Sequence, residues 1–337
     1  MITTDTISRL FSGFNNLSAL IIGDVMVDAY LWGKVERISP EAPVPIVSVN
    51  KRENRLGGAA NVGLNIRSLG ATAYLCAVIG NDQKGNEFLE LLDNEGIPKQ
   101  GIVRSDTRVT TTKFRVIGNN AQMLRVDEEH TKPLDKKEAE DLRLNITKLL
   151  ELEKIDVIIF QDYDKGVITP ALITEIVALA NSENIPVVVD PKKDHFLDFK
   201  NVSLFKPNLK EIKEGLKIDF DENNPAELEK AIRSLQETVN AQIVLNTLSD
   251  KGIIVRWQEG GQFQSEKFPA HYRNISDVSG AGDTVISVAA LCLASGIEVP
   301  DMAAIANLSG GIVCEEVGVV PINKTKLQDE VIRTLSK

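Results

Sequence analysis

Apolar positions along the chain fall into short continuous runs and into helical stripes, and the two kinds alternate. The run at 19–22 stops on Gly23-Asp24 and predicts a buried strand that delivers polar groups to the carboxyl edge of a parallel sheet. The prolines between Ser39 and Val49 forbid a helix, and the alternation at Val44, Ile46 and Val49 predicts an edge strand. Gly57-Gly58-Ala59-Ala60-Asn61 opens a helix to about Leu69, with Val62, Ile66 and Leu69 on one face. A buried strand at 73–79 and a helix at 87–94 ending at Gly96 follow. Two β-rich runs, 108–117 and 122–127, flank Gly118-Asn119-Asn120 and predict a hairpin.

Beyond residue 135 the order is regular. Helices at 136–152, 170–182, 208–214 and 226–238 interleave with strands at 156–160, 186–189, 203–205 and 242–246. Two strands, 252–257 and 262–268, turn on Glu259-Gly260-Gly261, and helices near 283–295, 302–317 and 324–335 follow. Such alternation predicts an α/β fold with a mainly parallel central sheet flanked by helices. Strands at roughly 29–50 and 108–127 would form a small separate sheet. Nothing reads as a linker, so residues 1–337 are expected to form a single domain.

Composition narrows the function. At 337 residues and 43% hydrophobic the chain can bury a substantial core, and its formal charge of −10 argues against a nucleic-acid partner. Cys76, Cys292 and Cys314 lie far apart in apolar runs, without a CxxC pair or a Cys/His cluster. Buried reduced thiols are expected, and neither structural zinc nor a disulfide framework. The polar N-terminal stretch has no apolar core and no run is long enough to span a bilayer, so a soluble cytoplasmic protein with no membrane partner is expected.

The most informative stretch is Asp277-Val278-Ser279-Gly280-Ala281-Gly282-Asp283-Thr284, which opens an almost uncharged helix. Its glycines allow a tight turn, and the helix N-terminus offers N–H groups and a favourable dipole to an oxyanion or a transferring phosphoryl group. Asp283 at the same helix start can take a proton from a hydroxyl, although an acidic helix cap has the same spelling. Val285 breaks a GxGxxG reading, and Gly80-Asn81-Asp82-Gln83-Lys84-Gly85 continues Asn86-Glu87 where a Walker A loop needs Lys-Ser/Thr.

The pair formed by Gly57-Gly58-Ala59-Ala60-Asn61 and Asp277 to Asp283 resembles the two signatures of the ribokinase (phosphofructokinase-B) family, in their expected order and across nearly the whole chain. Val278 stands where the family usually has Thr. The resemblance implies an ATP-dependent carbohydrate kinase with Asp283 as catalytic base and Gly280, Ala281 and Gly282 as the anion hole for the γ-phosphate. It implies a sugar pocket of Asp28, Gly57, Gly58 and Asn61. Asn208-Leu209-Lys210-Glu211 looks like the family's Asn-x-x-Glu element, with Asn208 toward the phosphates and Glu211 holding Mg²⁺ through water; the same residues also spell most of a capping box. Thr247-Leu248-Ser249-Asp250-Lys251-Gly252 is similar to the nucleotide loop, with Ser249 replacing a glycine. Asn307 lies on the helix that closes the adenine side in relatives, and reads equally well as a packing contact.

Four further segments, 37–45, 122–127, 162–166 (with Asp164 where the subfamily usually has Gly) and 189–192, are similar to the kinase domain of bacterial heptose-phosphate kinases, which serve ADP-heptose and lipopolysaccharide synthesis. The implied acceptor is the anomeric hydroxyl of D-glycero-β-D-manno-heptose 7-phosphate. Another sugar, sugar phosphate or nucleoside is the alternative, and a non-catalytic binding protein on the same fold is a second. A 7-phosphate needs cationic clamps, and Lys113, Arg115, Arg125 and Lys165 are the candidates. Relatives also carry a monovalent cation site near the anion hole. If the small sheet, read as a lid over the sugar, also pairs its exposed edge between subunits, a homodimer follows; the resemblance further implies a separate adenylyltransferase acting downstream, since the chain has no second nucleotide-binding segment.

Overall fold

The computed structural model describes residues 2–271 and 273–336. With elements numbered in chain order, the main sheet holds β1 (Ser18–Gly23), β4 (Thr72–Gly80), β5 (Ile102–Ser105), β8 (Val157–Gln161), β9 (Val187–Asp190), β10 (Leu204–Phe205), β11 (Ile243–Thr247), β12 (Ile253–Glu259) and β13 (Gln262–Phe268). Their order is β13-β12-β11-β10-β9-β8-β1-β4-β5. β5 through β11 run parallel, and β12 and β13 return antiparallel at one edge.

Both faces are covered, which is why the strands are apolar throughout. Along β1, Ala19 and Ile21 enter one core and Leu20 and Ile22 the other. The first core is shared with α1 (Thr4–Gly13), α2 (Ala59–Ser68), α3 (Gln83–Asn94), α8 (Ala281–Ala294), α9 (Val299–Val313) and α10 (Lys324–Leu335). The second lies under α4 (Lys136–Leu152), α5 (Pro170–Ser182), α6 (Leu209–Leu216) and α7 (Pro225–Val239). The helix α1 is not anticipated by the sequence pattern. Its ten residues bury only Ile7, Leu10 and Phe11, too few for a visible stripe.

A second sheet stands apart, in the order β3-β2-β6-β7, from β2 (Val25–Ile38), β3 (Pro45–Gly58), β6 (Thr112–Gly118) and β7 (Ala121–Glu128). β2 and β6 are parallel and the other pairs antiparallel. The expected hairpin is β6–β7, turned by Asn119 and Asn120 at φ 52° and 65°, a geometry Asn tolerates. The proline-rich strand is indeed at the edge. Three boundaries differ from expectation. β2 begins at Val25 and β3 continues to Gly58, so the lid reaches back to the glycine pair itself. Residues 108–111 lie outside β6; the Arg108 guanidinium instead binds the carbonyls of His130, Lys132 and Lys165.

The chain leaves β1 toward β4 on one side and returns through β8 on the other. The carboxyl ends of β1 and β8 therefore flank a switch point, where open α/β sheets form their crevice. No described helix is long and apolar enough to cross a membrane.

Candidate active site

Three neighbouring strands, β8, β9 and β10, each bring one polar residue to that crevice. β1 ends on Gly23, in register with Gln161 at the end of β8, which in turn pairs with Asp190 at the end of β9. Lys206 follows the last residue of β10. Over these ends stands the N-terminus of α8, whose cap Gly280 is left-handed (φ 80°, ψ −2°) and supplies no side-chain cap. Ala281 N–H donates to the Val278 carbonyl at 3.3 Å, while the N–H groups of Gly282 and Asp283 have no partner among the described residues and are left for an outside acceptor. A Cβ added to Gly282 would come 3.6 Å from Nζ of Lys206 and 3.8 Å from Oδ2 of Asp190, so a buried Lys–Asp pair (3.0 Å) lines this turn.

Asp283 is buried and accepts at both oxygens. Asn61 Nδ2 donates to Oδ2 at 2.7 Å; the Tyr163 hydroxyl donates to Oδ1 at 2.7 Å, and Gln161 Nε2 approaches Oδ1 at 3.3 Å. Burial raises its pKa to about 6; Asn61 and Tyr163 oppose the rise, Asp190 adds to it and Lys206 opposes it. A carboxyl poised there can be ionised at neutral pH yet still accept a proton.

The acceptor side is built by the lid base. Gly57 and Gly58 end β3, and a Cβ at Gly57 would come within 2.5 Å of Asp28 Oδ2. Gly58 has φ 61°, and a Cβ there would meet the Asp24 carbonyl at 2.4 Å, so only glycine fits. Asn61 lies in the first turn of α2, and a Cβ on Gly280 would be 3.1 Å from its Nδ2. The two glycine signatures, far apart in sequence, therefore face each other across Asn61 and Asp283.

Asn208 and Glu211 do form a full capping box at α6, with reciprocal bonds of 2.9 Å. The other Glu211 oxygen pairs with Lys192. Burial works against the Lys192 charge, but Asp190 and Glu211 outweigh it and raise its pKa. Thr247 donates its N–H to the Pro207 carbonyl at 3.0 Å and bridges to Asn208, which brings the nucleotide-loop candidate beside this element. Gly252 (φ 91°) closes that loop. Leu209 is half-buried; Lys210 points to solvent and approaches Glu214 at 3.7 Å. Asn307 donates to the Pro269 carbonyl at 2.8 Å, a packing contact. Among the described residues no three His, Cys, Asp or Glu side chains cluster as a ready metal cage. This donor set, one carboxylate amid lysines, fits a divalent ion that arrives on phosphates and keeps most of its water.

The four expected cations separate. Arg115 pairs with Asp28 and lies 5.4 Å from the Tyr30 ring centroid; Lys113 lies 6.0 Å from that of Tyr163. Arg125 is drawn to Asp127 at 2.9 Å and its side chain is half exposed, while Lys165 pairs with Glu129 at 2.9 Å. Sequence reading missed Arg55. On β3 it is in register with Asp28, and its guanidinium lies 5.0 Å from the Tyr30 ring. Tyr30, Trp32, Arg55, Arg115 and Gln122 line a cleft of about 230 Å³. Within it the Trp32 indole Nε1 is buried without an acceptor.

The chain is 37% identical over 325 residues to the bifunctional protein HldE of Geobacter sulfurreducens, covering 95% of this chain and 64% of the relative. The Helicobacter pylori J99 bifunctional protein HldE is 39% identical over 301 residues, covering 89% and 63%. The chain thus spans a little under two thirds of these relatives. Among solved structures, Escherichia coli phosphofructokinase-2 in complex with potassium superposes with a TM-score of 0.78 at 18% identity, over 95% of this chain and 99% of that one. Arabidopsis thaliana ribokinase complexed with ribose and ATP gives 0.67 at 16%, over 93% and 98%. The family described as pfkB family carbohydrate kinase matches residues 16–326. That match takes in both glycine signatures and Asp283, and the chain belongs to the pfkB family of carbohydrate kinases.

Proposed function

We propose that the protein transfers the γ-phosphoryl group of ATP to the anomeric hydroxyl of D-glycero-β-D-manno-heptose 7-phosphate, giving the 1,7-bisphosphate. The observation that carries this reading is the cleft of Tyr30, Trp32, Arg55 and Arg115. It continues the face of the lid that holds Asp28, and it offers two guanidiniums to a second, remote phosphate. Each guanidinium keeps donors beyond those committed to Glu53, Val319 and Asp28. Both relatives compared above carry the name HldE, which supports the same substrate class.

In the proposed reaction Asp283 takes the hydroxyl proton as the sugar oxygen bonds to the γ-phosphorus and the bond to the β-phosphate oxygen breaks, releasing ADP. Amides of Gly280, Ala281 and Gly282 receive the equatorial oxygens, with the Lys206 ammonium beside them. Asp28, Gly57, Gly58 and Asn61 hold the sugar, and Asn208, Thr247 and Gly252 border the nucleotide. Glu211 would hold Mg²⁺ through water, and the ion would supply neutralisation of phosphate charge. A monovalent cation beside the anion hole is part of this reading, supported by the potassium complex of the E. coli neighbour. Residues 1–337 are read as one kinase domain that includes the lid.

A panel of sugars, sugar phosphates and nucleosides with ATP tests the acceptor. Heptose 7-phosphate should have the highest kcat/KM; faster turnover of a nucleoside or unphosphorylated sugar would end this reading. Arg55→Ala should raise KM for heptose 7-phosphate by about 10- to 100-fold and leave KM for ATP unchanged.

The lid is also read as a dimer surface. Leu124 and Val126 on the edge strand β7 are 56% and 48% exposed, an edge that soluble proteins usually cover. Light scattering should give twice the chain mass, and Leu124→Lys should give the monomer. A monomeric parent protein contradicts it.

A further inference from the structure

We propose that Tyr163 is a positioning residue for the catalytic base, holding Oδ1 of Asp283 through its phenol O–H so that the acceptor hydroxyl meets an oriented, ionised carboxylate. The inference rests on the reading of Asp283 as base and adds a residue to it.

Three observations carry it. The contact is direct, 2.7 Å, and is matched by the Asn61 contact at the other oxygen, so the carboxylate is gripped from both sides of the crevice. Second, the loop that bears Tyr163 is itself fixed. The buried Asp24 carboxylate, just past the end of β1, accepts the N–H groups of Tyr163, Lys165 and Val167 at 2.8, 3.1 and 3.1 Å. Arg108 ties the same loop to residues 130–132 through three carbonyls. Third, the aromatic ring is held between two ammonium groups. Lys113 of the lid lies 6.0 Å from its centroid and Lys192 of the phosphate side 5.8 Å. The phenol is thus the point where the lid, the sheet edge and the base meet.

Toward the Asp283 carboxylate the phenol can only donate. Burial, with the neighbouring Asp283 and Asp190 carboxylates, raises the Tyr163 pKa well above the ordinary phenol value, so the hydroxyl stays protonated throughout the working range. A donor that bonds the ionised carboxylate favours that form. The other groups facing Asp283 are Asn61 on α2, Gln161 at the end of β8, Asp190 at the end of β9, and the Lys206 and Lys192 ammoniums. Removing the phenol leaves Asp190 and burial opposed by one donor fewer, and the base should become harder to ionise.

The test is a set of pH profiles of kcat/KM for heptose 7-phosphate with saturating ATP, in the parent enzyme, Tyr163→Phe and Asp283→Asn. Phenylalanine keeps the ring and its cationic neighbours. The acidic limb, at about 6 in the parent, should move up by about one unit in Tyr163→Phe. Its kcat/KM should then be about tenfold low at pH 5 and within about twofold of the parent at pH 8.5. An unmoved limb, or the same fractional loss at every pH, in a protein that Asp283→Asn inactivates would overturn the role of Tyr163 and leave the base standing. An active Asp283→Asn enzyme with the limb intact would remove the base, and the proposal with it.

Discussion

Asp283→Asn should lower kcat by roughly a hundred- to ten-thousand-fold, the usual contribution of a positioned general base, while KM for ATP changes little. The amide fills the same space but takes no proton from the acceptor. The amides of the α8 turn remain in place, so the residual rate should reflect phosphoryl binding and positioning alone. The loss should not come from unfolding. The Asp283 pKa lies above its ordinary 3.8, at about 6, because ionising the carboxyl in its buried site is costly. Its contribution to stability is therefore full below the unfolded pKa and is lost as pH rises through about 6. At pH 8 the neutral amide removes that cost, and thermal unfolding should show Asp283→Asn to be no less stable than the parent. The parent rate should fall with acid below about pH 6 as the base is protonated, and the residual rate of the variant should lack that step. An active variant, with single-turnover rates near those of the parent, would remove Asp283 from the mechanism.

Lys206→Met should damage the enzyme in a different way, by stability as well as rate. Lys206 and Asp190 are both almost completely buried and 3.0 Å apart. Truncating one partner of such a pair leaves the other charge uncompensated, at a cost of about 3–5 kcal/mol. Urea unfolding should show this loss, and adding Asp190→Asn should recover most of it, since the stranded charge is then gone. The rate should not recover. Lys206 lines the Gly282 turn, where the proposed reaction builds negative charge, and the double variant lacks the ammonium nearest that turn. A double variant that regained both stability and rate would assign Lys206 to structure alone.

The sequence pattern made the main sheet legible because its strands are buried on both faces and its crossovers are amphipathic helices. Four elements agree with their expected bounds to the residue: 136–152, 170–182, 262–268 and 324–335. The lid was harder. Its strand β3 runs through Asn50-Lys51-Arg52-Glu53-Asn54-Arg55, a charged stretch with no apolar alternation, because residues 50–52 are exposed on both faces and 53–55 are only half-buried. Arg55 was hidden for that reason. The glycine turn at 280–282 announced itself by local spelling, whereas Tyr163 and Lys206 matter only through partners 120 residues away or on a neighbouring strand. For Arg125 a signal was present. Asp127 lies two residues on, hence on the same face of a strand, and takes up its charge.

Helix α2 packs on α8, and Asn61 meets Asp283 across 222 residues of intervening chain. On a ribosome moving at 5–20 residues per second, the second half of this contact emerges about 10–45 s after the first. In that interval the inner face of α2, with Val62 and Ile66, has no partner from α8 to cover it, although the lid strands and β4 are already made. The α8 stretch then arrives as fourteen residues whose single charge is Asp283. The pairing of Asp283 with Asn61 is thus made late, with only α9 and α10 of that core still to follow.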